Sequence, residues 1–136
     1  MITLILGKKG SGKTKRLLAM CNEAVASSNG NVVFIEKDNT VTYDVSPKAR
    51  LAVAEEYGIN GYDTFYGFIA GMCASNYDIT DIFVDSTLKI GGGDREELAR
   101  FVEKLNTITK DINIVMSVSA DASEIPERLA TIAKEI

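Results

Sequence analysis

The chain contains no histidine and no tryptophan, and only two cysteines and two prolines among 136 residues. Without histidine there is no imidazole metal ligand, no histidine-dependent catalytic triad and no imidazole pH switch. Two cysteines cannot build a disulfide framework. Cys21 falls at helical spacing with Leu17, Ala24 and Val25, and Cys73 with Ile69 and Met72, so both read as small buried hydrophobes. An excess of positive charge is lacking as well. Fifteen Lys and Arg against nineteen Asp and Glu leave a formal net charge of −4, which removes any global attraction to nucleic acid or to an anionic membrane. No apolar run approaches the ~18 residues of a membrane span. The opening Met1-Ile2-Thr3-Leu4-Ile5-Leu6 has no basic segment and reads as neither signal peptide nor anchor. The expected location is reducing and cytoplasmic.

The remaining composition, 46% hydrophobic and 25% charged, excludes a disordered, collagen-like or coiled-coil chain. The length suits one domain over residues 1–136 that needs no disulfide or metal to fold. Apolar runs at 2–6, 32–35, 82–84 and 112–118 predict buried strands, with a short extra one at 41–45. Helical periodicity predicts helices over 13–27, from Asp63 or Thr64 (Phe65, Phe68, Ile69, Met72 and Cys73 on one stripe), and from Asp94 (Leu98, Phe101, Val102 and Leu105). Ser46-Pro47 reads as the start of a helix running to residue 57 and stopped by Gly58, and residues 124–136 read as a final helix. Gly67 and Gly71, four apart, suggest close approach of a neighbouring backbone, and residues 91–93 a flexible glycine loop. Alternating strands and helices predict an α/β fold: a three-layer α/β/α sandwich around a small, mostly parallel sheet of four or five strands.

Between the first strand and the first helix stands Gly7-Lys8-Lys9-Gly10-Ser11-Gly12-Lys13-Thr14, which fits G-x-x-x-x-G-K-[ST] at every fixed position and in the required strand-loop-helix context. The glycines let several backbone N–H groups converge on one concavity. The helix beyond the loop adds the positive end of its dipole. In such a loop Lys13 reaches the β- and γ-phosphates of a nucleotide, and the Thr14 hydroxyl suits Mg²⁺. Asp85 closes the apolar run 82–84. A carboxylate at the carboxyl end of a buried parallel strand faces the ligand crevice and suits the outer shell of the same ion.

These features resemble the P-loop NTPases, with a Walker A motif at Gly7 to Thr14 and a Walker B strand ending at Asp85. The resemblance runs from Ile2 to about Ser119 and implies the P-loop fold type, with ATP and Mg²⁺ as ligands. Translational-type GTPases carry a glycine three residues after the strand-end Asp. Here Ser86, Thr87 and Leu88 come next, and no Asn/Thr-Lys-x-Asp base-reading run occurs, so ATP is preferred to GTP. Ile114-Val115-Met116-Ser117 is similar to the sensor strand of the additional-strand ATPases, which makes Ser117 the candidate γ-phosphate sensor and Ser119 the second. Lys8 stands where the deviant Walker A class has its signature lysine, but Lys9 replaces a glycine of that class. The simpler reading of both is that of loop cations adding positive potential.

Many such ATPases follow the Walker B Asp with a Glu that polarises the attacking water, and here Ser86 stands instead. Glu36, at the end of the second strand, is the replacement candidate, its alternative being a surface carboxylate. Arg16, Arg95 and Arg100 are the nearest arginine-finger candidates, and each also reads as a solvated helix residue. The expected site is therefore Lys13, Glu36 and Ser117 for chemistry, Gly7 to Thr14 for phosphates, and Thr14 with Asp85 for the metal. The expected function is ATP·Mg binding by a slow ATPase or ATP-driven switch. A nucleotide-binding module without hydrolysis and a small nucleoside kinase are the alternatives. Glu36-Lys37-Asp38 echoes the thymidine kinases, but two cysteines and no histidine cannot form that family's zinc lasso. The expected partners are a nucleotide and a homo-oligomer or larger assembly that covers a sheet edge.

Overall fold

The most continuously apolar segments take the central places of the sheet. In the computed structural model, which describes residues 1–39 and 44–136, the elements run β1 (Ile2–Leu6), α1 (Lys13–Ser27), β2 (Asn31–Glu36), β3 (Arg50–Val53), α2 (Tyr62–Ser75), β4 (Ile79–Val84), α3 (Thr87–Gly91), α4 (Arg95–Ile108), β5 (Asn113–Val118) and β6 (Ala133–Glu135). The sheet has the order β3-β2-β4-β5-β1-β6, and every pair is parallel. Successive side chains of a strand point to opposite faces, so the sheet carries two cores. Ile5, Val32, Phe34, Phe83 and Val115 pack with Leu17, Leu18 and Cys21 of α1. Leu4, Val33, Ile35, Ile82, Val84 and Met116 pack with Phe65 and Ile69 of α2 and with Leu98, Phe101, Val102 and Leu105 of α4. The fold is thus α/β, with helices covering both faces of a parallel sheet. Asp94 caps α4 by accepting from the Glu96 and Glu97 N–H groups at 2.9 and 3.0 Å.

Two expected helices are absent. Residues 50–53 of the first form β3, which extends the sheet beside β2 in the register Val33↔Arg50 to Glu36↔Val53 and leads into a 3₁₀ turn at Ala54–Tyr57. The Ser46-Pro47 signal is local, and pairing with the exposed edge of β2 outweighs it. Over residues 124–136 there are 3₁₀ turns at Ala122–Glu124 and Glu127–Thr131, then β6 against β1 (Ile2↔Ala133). Ile125, Leu129 and Ala133 recur every four residues as in a helix, yet all three are buried by turns and a strand. The sheet accordingly has six strands among the described residues, and the strand expected at 41–45 falls largely outside them.

The glycines also differ from expectation. A Cβ at Gly67 or Gly71 would meet nothing within 4 Å, so neither marks a close approach. Gly91, expected in a loop, ends the short helix α3 and is buried, and a Cβ there would overlap the Tyr62 ring. That ring cannot swing away, because it lies 5.1 Å from Phe101 and its hydroxyl donates to the Gly92 carbonyl at 2.7 Å. Gly91→Ala is expected to cost about 1–3 kcal/mol of stability through overpacking. Gly67→Ala should instead stabilise by about 0.5–1 kcal/mol, as alanine replaces a glycine in a helix interior. Urea unfolding midpoints of the two variants check the pair. Cys21 is buried and Cys73 half-buried, both as free thiols. Burial, with the Asp81 charge second, pushes the Cys21 thiol up to about 11. Among the described residues no helix is long and apolar enough to cross a membrane.

Candidate functional site

The chain leaves β1 at Gly7, whose N–H donates to the Ala120 carbonyl at 3.0 Å and ties the loop to the segment after β5. A Cβ on Gly7 would stand 2.5 Å from the Ser11 hydroxyl. Gly10 (φ 83°) and Gly12 (φ 89°) occupy the left-handed region that glycine enters without cost. Gly12 immediately precedes α1 and brings no side-chain cap, so the first N–H groups of the helix are left for another acceptor. Lys13 folds back over the loop, and its ammonium donates to the Lys8 carbonyl at 2.8 Å. The residue is 9% exposed. That burial lowers its pKa from the ordinary lysine value, and the Asp85 charge opposes the shift.

Three segments far apart in sequence meet at Asp85. The Thr14 hydroxyl donates to its carboxylate at 3.1 and 3.2 Å, across 71 positions of the chain. The Ser117 hydroxyl, at the end of β5, donates to Asp85 Oδ1 at 2.7 Å and accepts from the Ser86 N–H at 2.8 Å. These bonds satisfy a carboxylate that is only 6% exposed. Ser86 has φ 58° and ψ 51°, the one non-glycine residue with positive φ among those described. Such a conformation costs on the order of 1–3 kcal/mol. Here it turns the chain from β4 into α3 and aims the Ser86 N–H at Ser117.

A cavity of about 820 Å³ opens over this cluster, within the range of roughly 300–1,000 Å³ usual for small-molecule sites. Its wall includes Gly10, Gly12, Lys13, Thr14, Asp85, Ser117 and Ser119. Four lysines line it (Lys9, Lys13, Lys15 and Lys89) against two carboxylates, Asp44 and Asp85. On a chain of net charge −4 this is a locally cationic cleft, and with the α1 N-terminus it suits a polyanion.

Not every expected residue arrives there. Glu36 ends β2 one position past the pair Ile35↔Val84, level with Asp85, but it is 2% exposed and does not line the cavity. Lys8 contributes its carbonyl to the site rather than its side chain to the wall. Arg95 pairs with Glu124 at 3.0 Å and Arg100 with Glu96 at 3.6 Å; neither they nor Arg16 line the cavity. Asn22, Asp44 and Lys89 do, and the sequence reading missed them. Asn22 was recoverable, because Thr14, Leu18 and Asn22 recur every four residues down one stripe of α1. Asp44 and Lys89 carry no such signal. Among the described residues no group of three His, Cys, Asp or Glu side chains could hold a metal ion. A cation here would depend on one hydroxyl, one carboxylate and oxygens of a ligand, as Mg²⁺ sites on phosphates commonly do. Neither a protein-family model nor a curated protein matches the chain.

Proposed function

We propose that the chain is a P-loop NTPase of the additional-strand class, binding ATP·Mg at the Gly7–Thr14 loop as a slow ATPase or ATP-driven switch. The observation that carries this reading is the Thr14–Asp85 hydrogen bond beside a buried Lys13 at the mouth of a cationic cleft. The strand order supports the class, since β5, which carries Ser117 as its penultimate residue, lies between β1 and β4. Loop N–H groups and the start of α1 would cradle the phosphates, and Lys13 would exchange the Lys8 carbonyl for β- and γ-phosphate oxygens. Thr14 and Asp85 would hold Mg²⁺, the hydroxyl directly and the carboxylate through water. When bound, the ion neutralises charge on the phosphates. Ser117 touches Asp85 and Ser86 at once, so it can relay a change at the terminal phosphate to α3.

Glu36 is buried and does not line the cavity, which favours a second reading, binding without hydrolysis.

Thr14→Ala and Asp85→Asn should each weaken Mg²⁺-dependent ATP binding by roughly 10–100-fold, the usual cost of disturbing an ion's protein shell. Affinity for metal-free ATP should change far less. Calorimetric titrations with and without Mg²⁺ check this. An unchanged Mg²⁺ response in both variants removes the metal assignment.

A further inference from the structure

We propose that the groove between α2 and the edge strand β3 binds a planar aromatic carboxylate, at a site separate from the nucleotide cleft. The groove measures about 460 Å³, within the roughly 300–1,000 Å³ usual for small-molecule sites. It shares no lining residue with the cleft over Asp85. Asn31 and Ile79, the first residues of β2 and β4, line it. It therefore lies at the amino ends of the strands, whereas the Gly7–Thr14 loop and Asp85 lie at the carboxyl ends.

The sequence leaves this groove open in two ways. Between β3 and α2 the chain makes only a 3₁₀ turn at Ala54–Tyr57, so no further helix covers the edge of the sheet there. Side chains of β3 alternate between the two faces. Leu51 packs against the core beneath α1, while Arg50 and Ala52 share the opposite face with their register partners Val33 and Ile35. Ala52 lines the groove and is too small to fill it. On α2, Phe65 and Ile69 are buried in the core, but Phe68 and Met72 stay half-buried and form the groove wall with Tyr57.

The chemistry of the ligand follows from that wall. The Tyr57 and Phe68 rings stack with centroids 6.1 Å apart and 26° between their planes, and Tyr57 is 55% exposed. A flat ring extends such a stack. The charged residues of the wall are Lys48 and Arg50, both cations, with no carboxylate beside them. Arg50 donates to the Tyr57 hydroxyl at 3.4 Å, which sets its guanidinium next to the rings. No ion pair among the described residues engages it, so its remaining N–H groups suit the two oxygens of a carboxylate. Ser75 and Asn76 bring the C-terminal end of α2 to the same groove, and the negative end of the helix dipole favours one ligand charge over the two of a phosphate.

Calorimetric and amide NMR titrations of the full chain with naphthoate, and with its uncharged counterpart naphthamide, test the proposal. Naphthoate should bind with a dissociation constant at or below about 1 mM, and about tenfold more tightly than naphthamide. Shifts should centre on Arg50, Tyr57, Phe68 and Met72 and persist in saturating ATP·Mg. Arg50→Gln, at an exposed position that leaves the core intact, should erase the preference for the charged ligand. Met72→Glu, which puts a carboxylate in the wall, should weaken naphthoate more than naphthamide. Absent binding, equal affinity for the two ligands, or displacement by ATP·Mg overturns the proposal. So does adenosine monophosphate shifting the same amides at lower concentration than naphthoate, which would give the groove to a phosphate. Shifts of those amides on concentrating the protein alone would give it to a second copy, and the proposal falls then too.

Discussion

Lys13→Ala should reduce ATP·Mg affinity by about 2–5 kcal/mol, the cost of truncating one partner of a desolvated charged contact. That is roughly thirtyfold to several-thousandfold in the dissociation constant. The effect is large because Lys13 is buried against the loop with its ammonium on the Lys8 carbonyl at 2.8 Å, so phosphate oxygens would meet a cation already held beside them. The fold should survive. Alanine is the best helix former at the first position of α1. The Lys8 carbonyl that loses the ammonium still accepts from the Ser11 N–H at 3.1 Å. Calorimetry reads the loss, and an unchanged melting temperature shows that it is local. Equal affinity in wild type and variant would remove the phosphate assignment of the loop.

The second large effect is on turnover. Arginine fingers contribute on the order of 10³–10⁵ to the rate of P-loop enzymes, and no arginine lines this cavity among the described residues. Arg95 is held by Glu124, Arg100 by Glu96, and Arg128 by Glu96 and Glu103. Dilute protein should therefore hydrolyse ATP slower by about that factor than an enzyme with its finger in place. Where a second copy supplies the missing cation, Lys8, Arg95 or Arg100 being the candidates, specific activity should climb with protein concentration and drop when that residue is replaced. Phosphate release across a concentration series measures this. Fast turnover independent of concentration would contradict this arrangement.

Legibility in the sequence tracks the range of the forces involved. β1, β2, β4 and β5 are apolar through their length because both faces are buried, and α1 and α4 carry their stripes for the same reason. The loop at Gly7–Thr14 was legible because its backbone demands glycine, and Asp85 and Ser117 because each closes an apolar run. β3 and β6 were not. They are short edge strands that exist by pairing with β2 and β1, and their own residues spell helix signals as readily as strand. Gly91 was misread because its role is set by the Tyr62 ring, 29 positions away, and no local pattern encodes that contact. Asp44 escaped notice for a similar reason: its place depends on where Val45 is buried.

The central claim is that the loop, Asp85 and Ser117 form one nucleotide·Mg site, and backbone amide NMR during an ATP·Mg titration tests it most directly. The amides of Gly10, Ser11, Gly12, Lys13 and Thr14 should shift together with those of Asp85, Ser86 and Ser117, all saturating at one ligand concentration. Shifts confined to the separate groove of about 460 Å³ lined by Tyr57, Phe68 and Met72, or no shifts at millimolar ligand, would contradict it.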